Sequence, residues 1–286
     1  MQPKQFMQPD RWLEAEIDLS VIAGHDIRMI AGILLDLSGV IYVGNKPLPG
    51  ALDAIARLRN MALPVRFLTN TTRTPKRRIV QNLRDMGLPF DEDELFTPAR
   101  AARDWLTLHR RSPHLLIHPD LAEDFDDLRR HDKTAVVIGD AGEAFTYQTL
   151  NAAFRQLTTG SELLALAGNR TFLDKDGKLS LDAGAFVAAL EYGTQKTAKV
   201  LGKPSADFFQ AALSSMGCAA QNAVMIGDDA EADVSGAIAA GIAVGLLVKT
   251  GKYTAGAESG VDPSPTATVD DLKAAVDWII DHPSFT

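Results

Sequence analysis

Short apolar runs recur along this chain, several of them ending abruptly in polar side chains, with segments of helical spacing between them. Met29–Leu35 is uninterrupted by charge and reads as a strand buried on both faces. It stops at Asp36-Leu37-Ser38-Gly39-Val40. Val40–Asn45 is rich in β-formers and closes on Gly44-Asn45, which predicts a hairpin-like flap. Beyond Pro47 and Pro49, the apolar positions Leu52, Ile55, Ala56 and Leu58 predict a helix over Ala51–Met61. Val65–Leu68 is a second strand, ending in Thr69-Asn70. Lys76–Met86 is a second helix, opened by Pro75 and closed by Gly87. Strand and helix in this alternation imply right-handed βαβ units and a parallel sheet.

Near Pro98 the pattern starts afresh. Ala99–Leu108 and Tyr147–Leu157 read as helices, and Leu115–His118, Ala135–Gly139 and Leu163–Ala167 as strands. Phe172–Leu179 reads as a hairpin around Asp176-Gly177. This block can form its own α/β layer. The expected organisation is therefore an N-terminal extension (1–28), a core domain (29–97 and 185–286) and an inserted α/β cap domain (98–184). A short helix is expected near Arg11–Ile17. After helix Ala185–Tyr192, Gly202-Lys203-Pro204-Ser205 precedes a helix to Met216. Strand Ala223–Ile226 ends at Gly227-Asp228-Asp229, and Glu231–Ala240 reads as a helix before strand Ile242–Val248. A C-terminal helix is expected from about Asp270 to Ile280. The expected fold class is α/β, with a doubly wound, Rossmann-like parallel sheet and the smaller insertion.

Composition narrows the function. With 286 residues, 46% hydrophobic and 23% charged, the chain has the make-up of a soluble globular enzyme. A net charge of −8 argues against a nucleic-acid partner, which would call for a basic face. The single cysteine, Cys218, excludes an internal disulfide and a thiolate zinc cluster, and reads as a small buried apolar residue. No apolar run reaches membrane-spanning length. The first 28 residues lack the basic start and apolar centre of a secretory signal. The expectation is a cytoplasmic protein with a small phosphorylated substrate and no nucleic-acid or membrane partner, and exposed cap surfaces compatible with a homodimer.

Strand and helix boundaries supply the candidate chemistry. Asp36, Thr69-Asn70, Lys203 and Asp228-Asp229 with Asp233 together suit phosphoryl transfer. A carboxylate such as Asp36 can attack phosphorus and form an aspartyl-phosphate. Because carboxylate and phosphate repel, a cation must sit between them, and Asp36 with Asp228 suits the hard, oxygen-seeking Mg²⁺. Thr69 and neighbouring backbone N–H groups suit phosphoryl oxygens, and Lys203 suits the developing charge.

In this order, Asp-x-Ser-Gly-Val, Leu-Thr-Asn, Gly-Lys-Pro and Gly-Asp-Asp-x-x-x-Asp resemble the haloacid dehalogenase-like hydrolase superfamily over roughly residues 30–282. The inserted block is similar to that of subfamily IIA, the NagD type. Asp36–Val40 and Gly251-Lys252-Tyr253 look most like the branch that contains phospholysine phosphohistidine inorganic pyrophosphate phosphatase and related domain-containing proteins. The resemblance implies a Mg²⁺-dependent phosphohydrolase in which Asp36 is the nucleophile, Lys203 assists it, and Thr69 and Asn70 bind phosphate with Lys203. It also implies Asp36, the Ser38 backbone carbonyl and Asp228 as metal ligands, with Asp229 and Asp233 as supporting carboxylates. Ser38 departs from most phosphatases of the superfamily, which carry an aspartate there as general acid. The expected substrates therefore have good leaving groups: aryl phosphates, P–N bonds or pyrophosphate. The alternatives are a catalytically weak phosphometabolite-binding or regulatory protein, and a phosphotransferase.

Other features read more plainly. Asp140, after a strand that imitates the one ending at Asp228, is expected as a loop residue facing substrate from the insertion. His118 is expected on an inserted strand, and Asn169-Arg170 reads first as a solvated loop pair, with contact to substrate as the alternative. Asp174-x-Asp176-Gly177 lacks the closing glutamate of a calcium loop, since Ala185 stands there. Val248–Tyr253 has the wrong glycine spacing for a phosphate loop.

Overall fold

The computed structural model describes residues 28–173 and 178–285. Its main sheet has six strands, all parallel, in the spatial order Ala267–Val269, Val244–Val248, Ala223–Gly227, Gly32–Asp36, Val65–Leu68 and Leu95–Phe96. The chain thus starts in the middle, builds outwards to one edge, returns to the middle and builds to the other. The reversal falls between Gly32–Asp36 and Ala223–Gly227, the crevice where open α/β sheets bind ligands.

Alternation within these strands explains why both faces are covered. Ile33, Leu35, Val65, Phe67, Val224 and Ile226 lie in one apolar cluster, with residues of helices Ala51–Asn60, Lys76–Asp85 and Leu272–Asp281. Leu34, Leu68, Ala223 and Met225 lie in a second, with helix Ala206–Met216 and Ala237. Successive side chains of a strand point to opposite faces, so each run must be apolar throughout. Cys218 is buried in the second cluster, as its reading as a small apolar residue required.

A second sheet of four parallel strands lies between Leu95–Phe96 and helix Ala206–Met216 in the chain. Its order is Lys199–Val200, Glu162–Ala165, Thr134–Ile138 and Ser112–Leu116. Helix Pro98–His109 packs on one face through Ala99, Ala102 and Leu106. Helices Tyr147–Thr158 and Ala183–Thr194 pack on the other, through Ala153, Leu157, Val187 and Leu190. Sheet membership therefore extends the insertion to Val200 rather than ending it at residue 184: the helix read as leading back still covers the second sheet. The helical spacing alone could not say which sheet that helix covers.

Two further expectations change. The run Met29–Leu35 is not one strand: Arg28–Met29 pairs with Ser284–Phe285, and Gly32–Asp36 enters the main sheet. Between them, Ile30 N–H donates to Pro283 and Ala31 N–H to Asn222, so the backbone is satisfied outside the sheet. Glu231–Ala240 is not a regular α-helix but a π turn, Ala230–Ser235, followed by a short α-helix, Gly236–Ala239. The flap is present as Tyr42–Val43 paired with Lys46–Pro47. Strands Thr171–Leu173 and Leu179–Leu181 pair, while the turn carrying Asp174 and Asp176 lies outside the described residues, as does the helix expected near Arg11–Ile17. Among the described residues, no helix is long and apolar enough to cross a membrane.

Candidate active site

The two central strands end side by side, and each delivers a carboxylate. Asp36 closes Gly32–Asp36, and Asp228 follows Ala223–Gly227 by one residue. The register pairs Asp36 with Leu68 on the next strand, so Thr69 emerges beside it. Asp36, Thr69, Lys203, Asp228 and Asp233 are all buried.

Asp233 joins the group because of the π turn. Its N–H and that of Val234 both donate to the Asp229 carbonyl, at 3.0 and 3.3 Å. This widened turn sets Asp233 against Gly227, where a Cβ would lie 2.2 Å from Asp233 Cβ. Asp229 N–H donates to Asp233 Oδ2 at 3.2 Å. π turns of this kind recur at functional sites.

Lys203 Nζ donates to Asp36 Oδ1 and lies 2.6 Å from Asp233 Oδ1. One carboxylate oxygen from each of Asp36, Asp228 and Asp233 falls within 4.8 Å of the others. Three buried acids thus share one buried cation, a set with an excess of negative charge. Burial foremost pushes Asp36 up to about 7, with Asp233 and Asp228 adding to it against the pull of Lys203. Burial and then Asp233 push Asp228 up to about 6, although the Lys252 N–H bond opposes this. Lys203 is held above its ordinary range: burial acts against its charge, but Asp233 and Asp36 outweigh it. An all-oxygen donor set with uncompensated negative charge fits a hard divalent cation.

A wall of this site was missed in the sequence, where Val248–Tyr253 read as a failed phosphate loop and Gly251-Lys252-Tyr253 served only for the branch resemblance. Gly251 stands against both Gly39 and Asp228, and Lys252 N–H donates to Asp228 Oδ2 at 2.7 Å. Thr250 Oγ1 donates to the Gly39 carbonyl. Gly39 and Gly251 have φ of +89° and +59°, and a Cβ on either would lie 1.9 Å from Asp228 Oδ2. The signal available was two glycines at strand-end loops, which indicates close approach only once the partner is known. Tyr42 at the base of the flap was also missed: burial and then the Asp36 charge push its phenol up to about 12.

The remaining expected residues lie around this group or further from it. Ser38 is exposed, bridged to Tyr42. Asp229 accepts from Ala232 N–H at 2.9 Å and pairs with Lys252 Nζ at 3.2 Å, so it caps the π turn and steadies the wall. The Asn70 carboxamide bonds the backbone of Lys203. Asp140 forms a two-toothed pair with Arg73 at 2.5 and 3.1 Å, joining the second sheet to the loop after Thr69. His118 lies just beyond its strand, where Nδ1 accepts from Asp120 N–H at 3.2 Å.

Comparison with known proteins decides the family. The description "haloacid dehalogenase-like hydrolase" matches residues 33–151, and a second description, of a hydrolase-like region of the same group, matches 200–275. Haloacid dehalogenase-like hydrolase domain-containing protein 2 of Rattus norvegicus is 44% identical over 255 residues, covering 89% of this chain and 98% of that protein. The chain belongs to the haloacid dehalogenase-like hydrolase family. Within that family, phospholysine phosphohistidine inorganic pyrophosphate phosphatase of Danio rerio is 41% identical, covering 89% of this chain and 96% of that one. The crystal structure of 4-nitrophenylphosphatase from Thermotoga maritima superimposes with a TM-score of 0.77 at 26% identity. It covers 87% of this chain and 97% of that one. Both the family and the doubly wound core with its insertion accord with the motifs read in the sequence.

Proposed function

We propose that this chain is a Mg²⁺-dependent phosphohydrolase that works through an aspartyl-phosphate on Asp36. The observation that carries the reading is the buried group of Asp36, Lys203, Asp228 and Asp233 at the point where strand order reverses. Asp36 and Asp228, with the Ser38 backbone carbonyl, would hold the ion; Asp233 and Asp229 support that arrangement from the π turn. When bound, Mg²⁺ offsets the repulsion between carboxylates and phosphoryl oxygens.

Lys203 pulls Asp36 towards its ionised form and orients it through Oδ1, which leaves the other carboxylate oxygen to attack phosphorus. As the Asp36–phosphorus bond forms, the bond from phosphorus to the leaving group breaks, and the leaving group departs with the electron pair. Thr69 and the N–H groups of its loop hold the equatorial oxygens. Water then attacks phosphorus, the acyl phosphate bond breaks, and inorganic phosphate leaves with Asp36 restored. The insertion acts as a cap that orients substrate and excludes water.

Ser38 provides no ready proton for the leaving group, so the leaving group's own basicity governs the first step. A phenol with a pKa of about 10 is tolerated, whereas an alkoxide, near the roughly 15.7 of bulk water, is poor. Pyrophosphate leaves as a stabilised anion, and a phosphoramidate as an amine protonated by solvent. The names of the 4-nitrophenylphosphatase and of the phospholysine, phosphohistidine and pyrophosphate phosphatase support this substrate class.

The test is Asp36→Asn, which keeps the shape of the side chain and removes its nucleophilic charge. Phosphate release from p-nitrophenyl phosphate is expected to vanish while the fold is retained, and turnover at the unmodified rate rejects the covalent mechanism. If the unmodified protein itself releases no phosphate from aryl phosphates, phosphoramidates or pyrophosphate, it binds phosphometabolites without turning them over.

A further inference from the structure

Lys203 reaches Asp36 from a distant part of the chain. It follows strand Lys199–Val200 of the second sheet, and at this point no neighbouring strand among the described residues pairs with it. Its peptide groups are held instead by one side chain. Asn70 Nδ2 donates to the Lys203 carbonyl at 2.8 Å, and Asn70 Oδ1 accepts from the Lys203 N–H, also at 2.8 Å. The carboxamide thereby does what a neighbouring strand does for a paired residue, satisfying both the N–H and the C=O.

The fit around this clamp is close. A Cβ on Gly202 would lie 2.7 Å from Asn70 Oδ1, 2.7 Å from the Leu166 carbonyl and 3.1 Å from Pro98 Cγ. The segment before Lys203 is therefore pressed between the Asn70 loop and the second sheet, and only a residue without a side chain fits there. Beyond the clamp, the Lys203 side chain runs to Asp36 and Asp233.

We infer that Asn70 is a positioning residue whose side chain acts on the reaction through Lys203 rather than by holding substrate. The inference rests on the proposed role of Lys203 beside Asp36. An ammonium on a flexible four-carbon stem has little orientation of its own, so the placement of its backbone sets where the charge falls. A displacement of about 1 Å at such a group can lower a rate by about 10²-fold. The amide keeps one further hydrogen and one further lone pair, so a direct contact with phosphate is the competing arrangement that an experiment must separate.

The experiment is a double-mutant cycle on p-nitrophenyl phosphate hydrolysis at saturating Mg²⁺, with kcat and KM measured for each variant. Asn70→Ala is expected to lower kcat by about 10- to 100-fold with KM little changed, the pattern of an interaction made only in the transition state. Lys203→Met and Lys203→Arg, the second keeping the buried charge, supply the other arm. In the Lys203→Met background, where no charge is left to place, Asn70→Ala is expected to change kcat by no more than about twofold, while in Lys203→Arg, whose backbone and charge still need placing, it is expected to lower kcat further. Additive losses with Lys203→Met, or a raised KM in every background, overturn the inference and place the amide on the substrate while leaving Lys203 in its role. Full activity in Lys203→Met overturns the functional reading of Lys203 and the inference with it. Thermal melting checks that each variant folds, and Asn70→Ser carries the same cycle if Asn70→Ala does not.

Discussion

A methyl group added at Gly39 or Gly251 would stand 1.9 Å from Asp228 Oδ2, which makes these glycines the sharpest probe of the site. To restore ordinary van der Waals contact the carboxylate must retreat by roughly 1.5 Å, well beyond the roughly 0.5 Å within which catalytic groups tolerate displacement. Gly39→Ala and Gly251→Ala are therefore expected to raise the Mg²⁺ requirement and to lower kcat by about 10²-fold or more, equivalent to about 2.7 kcal/mol of barrier. Backbone strain is a separate effect, because both residues have positive φ. A side chain in that region costs about 1–2 kcal/mol. Two controls isolate it. Gly256 has φ +87°, close to the +89° of Gly39, and Gly44 has φ +60°, close to the +59° of Gly251. A Cβ on either control meets nothing within 4 Å. All four alanine variants should lose thermal stability, the pair at Asp228 more because of the clash, while only that pair loses activity. The assay is p-nitrophenyl phosphate hydrolysis across a Mg²⁺ titration, beside melting curves. Equal activities across the four variants, or a normal Mg²⁺ dependence in Gly39→Ala, would refute the argument that this carboxylate's placement is critical.

The absence of an acid at Ser38 predicts a steep dependence of the phosphorylation step on leaving-group pKa, flattened in Ser38→Asp, since a positioned general acid supplies about 10²–10⁴-fold. A pre-steady-state series of aryl phosphates measures it, and a shallow slope with chemistry rate-limiting means that another group donates the proton. In the metal-free protein, Asp36 and Asp228 hold protons up to about 7 and about 6 that the unfolded chain releases near 4. Their folded pKa values are raised, so their contribution to stability is full below about pH 4 and is lost as the pH rises through 6 to 7. Mg²⁺ binds the deprotonated carboxylates, so its stabilising shift in melting temperature should be larger at pH 8 than at pH 5. Equal shifts at both pH values would mean that the ion does not bind at these two groups.

Much of this molecule follows from local rules. Each central strand must be apolar on both faces, so Gly32–Asp36 and Ala223–Gly227 announce themselves as short runs with polar ends. Helices of amphipathic spacing between them leave a parallel sheet as the arrangement that buries every apolar face. The same punctuation marked Asp36, Thr69 and Asp228 as candidates, because strand ends are where such a sheet places its chemistry, and Lys203 stood out before a helix start. What the chain alone could not decide were relations between segments distant in sequence. Helix Ala183–Thr194 has the apolar spacing to cover either sheet, and only packing against Ala153 and Leu157 assigns it to the second. Asp233 looks like a helix N-terminal acid until a π turn sets it against Gly227 and turns it towards Lys203. Gly251 reads as an ordinary loop glycine, and its necessity comes from Asp228, more than twenty positions earlier. Asn70 reads as a phosphate ligand by the family resemblance. Its two bonds go to a residue 133 positions away, because a loop arriving from another sheet needs a partner for its own backbone.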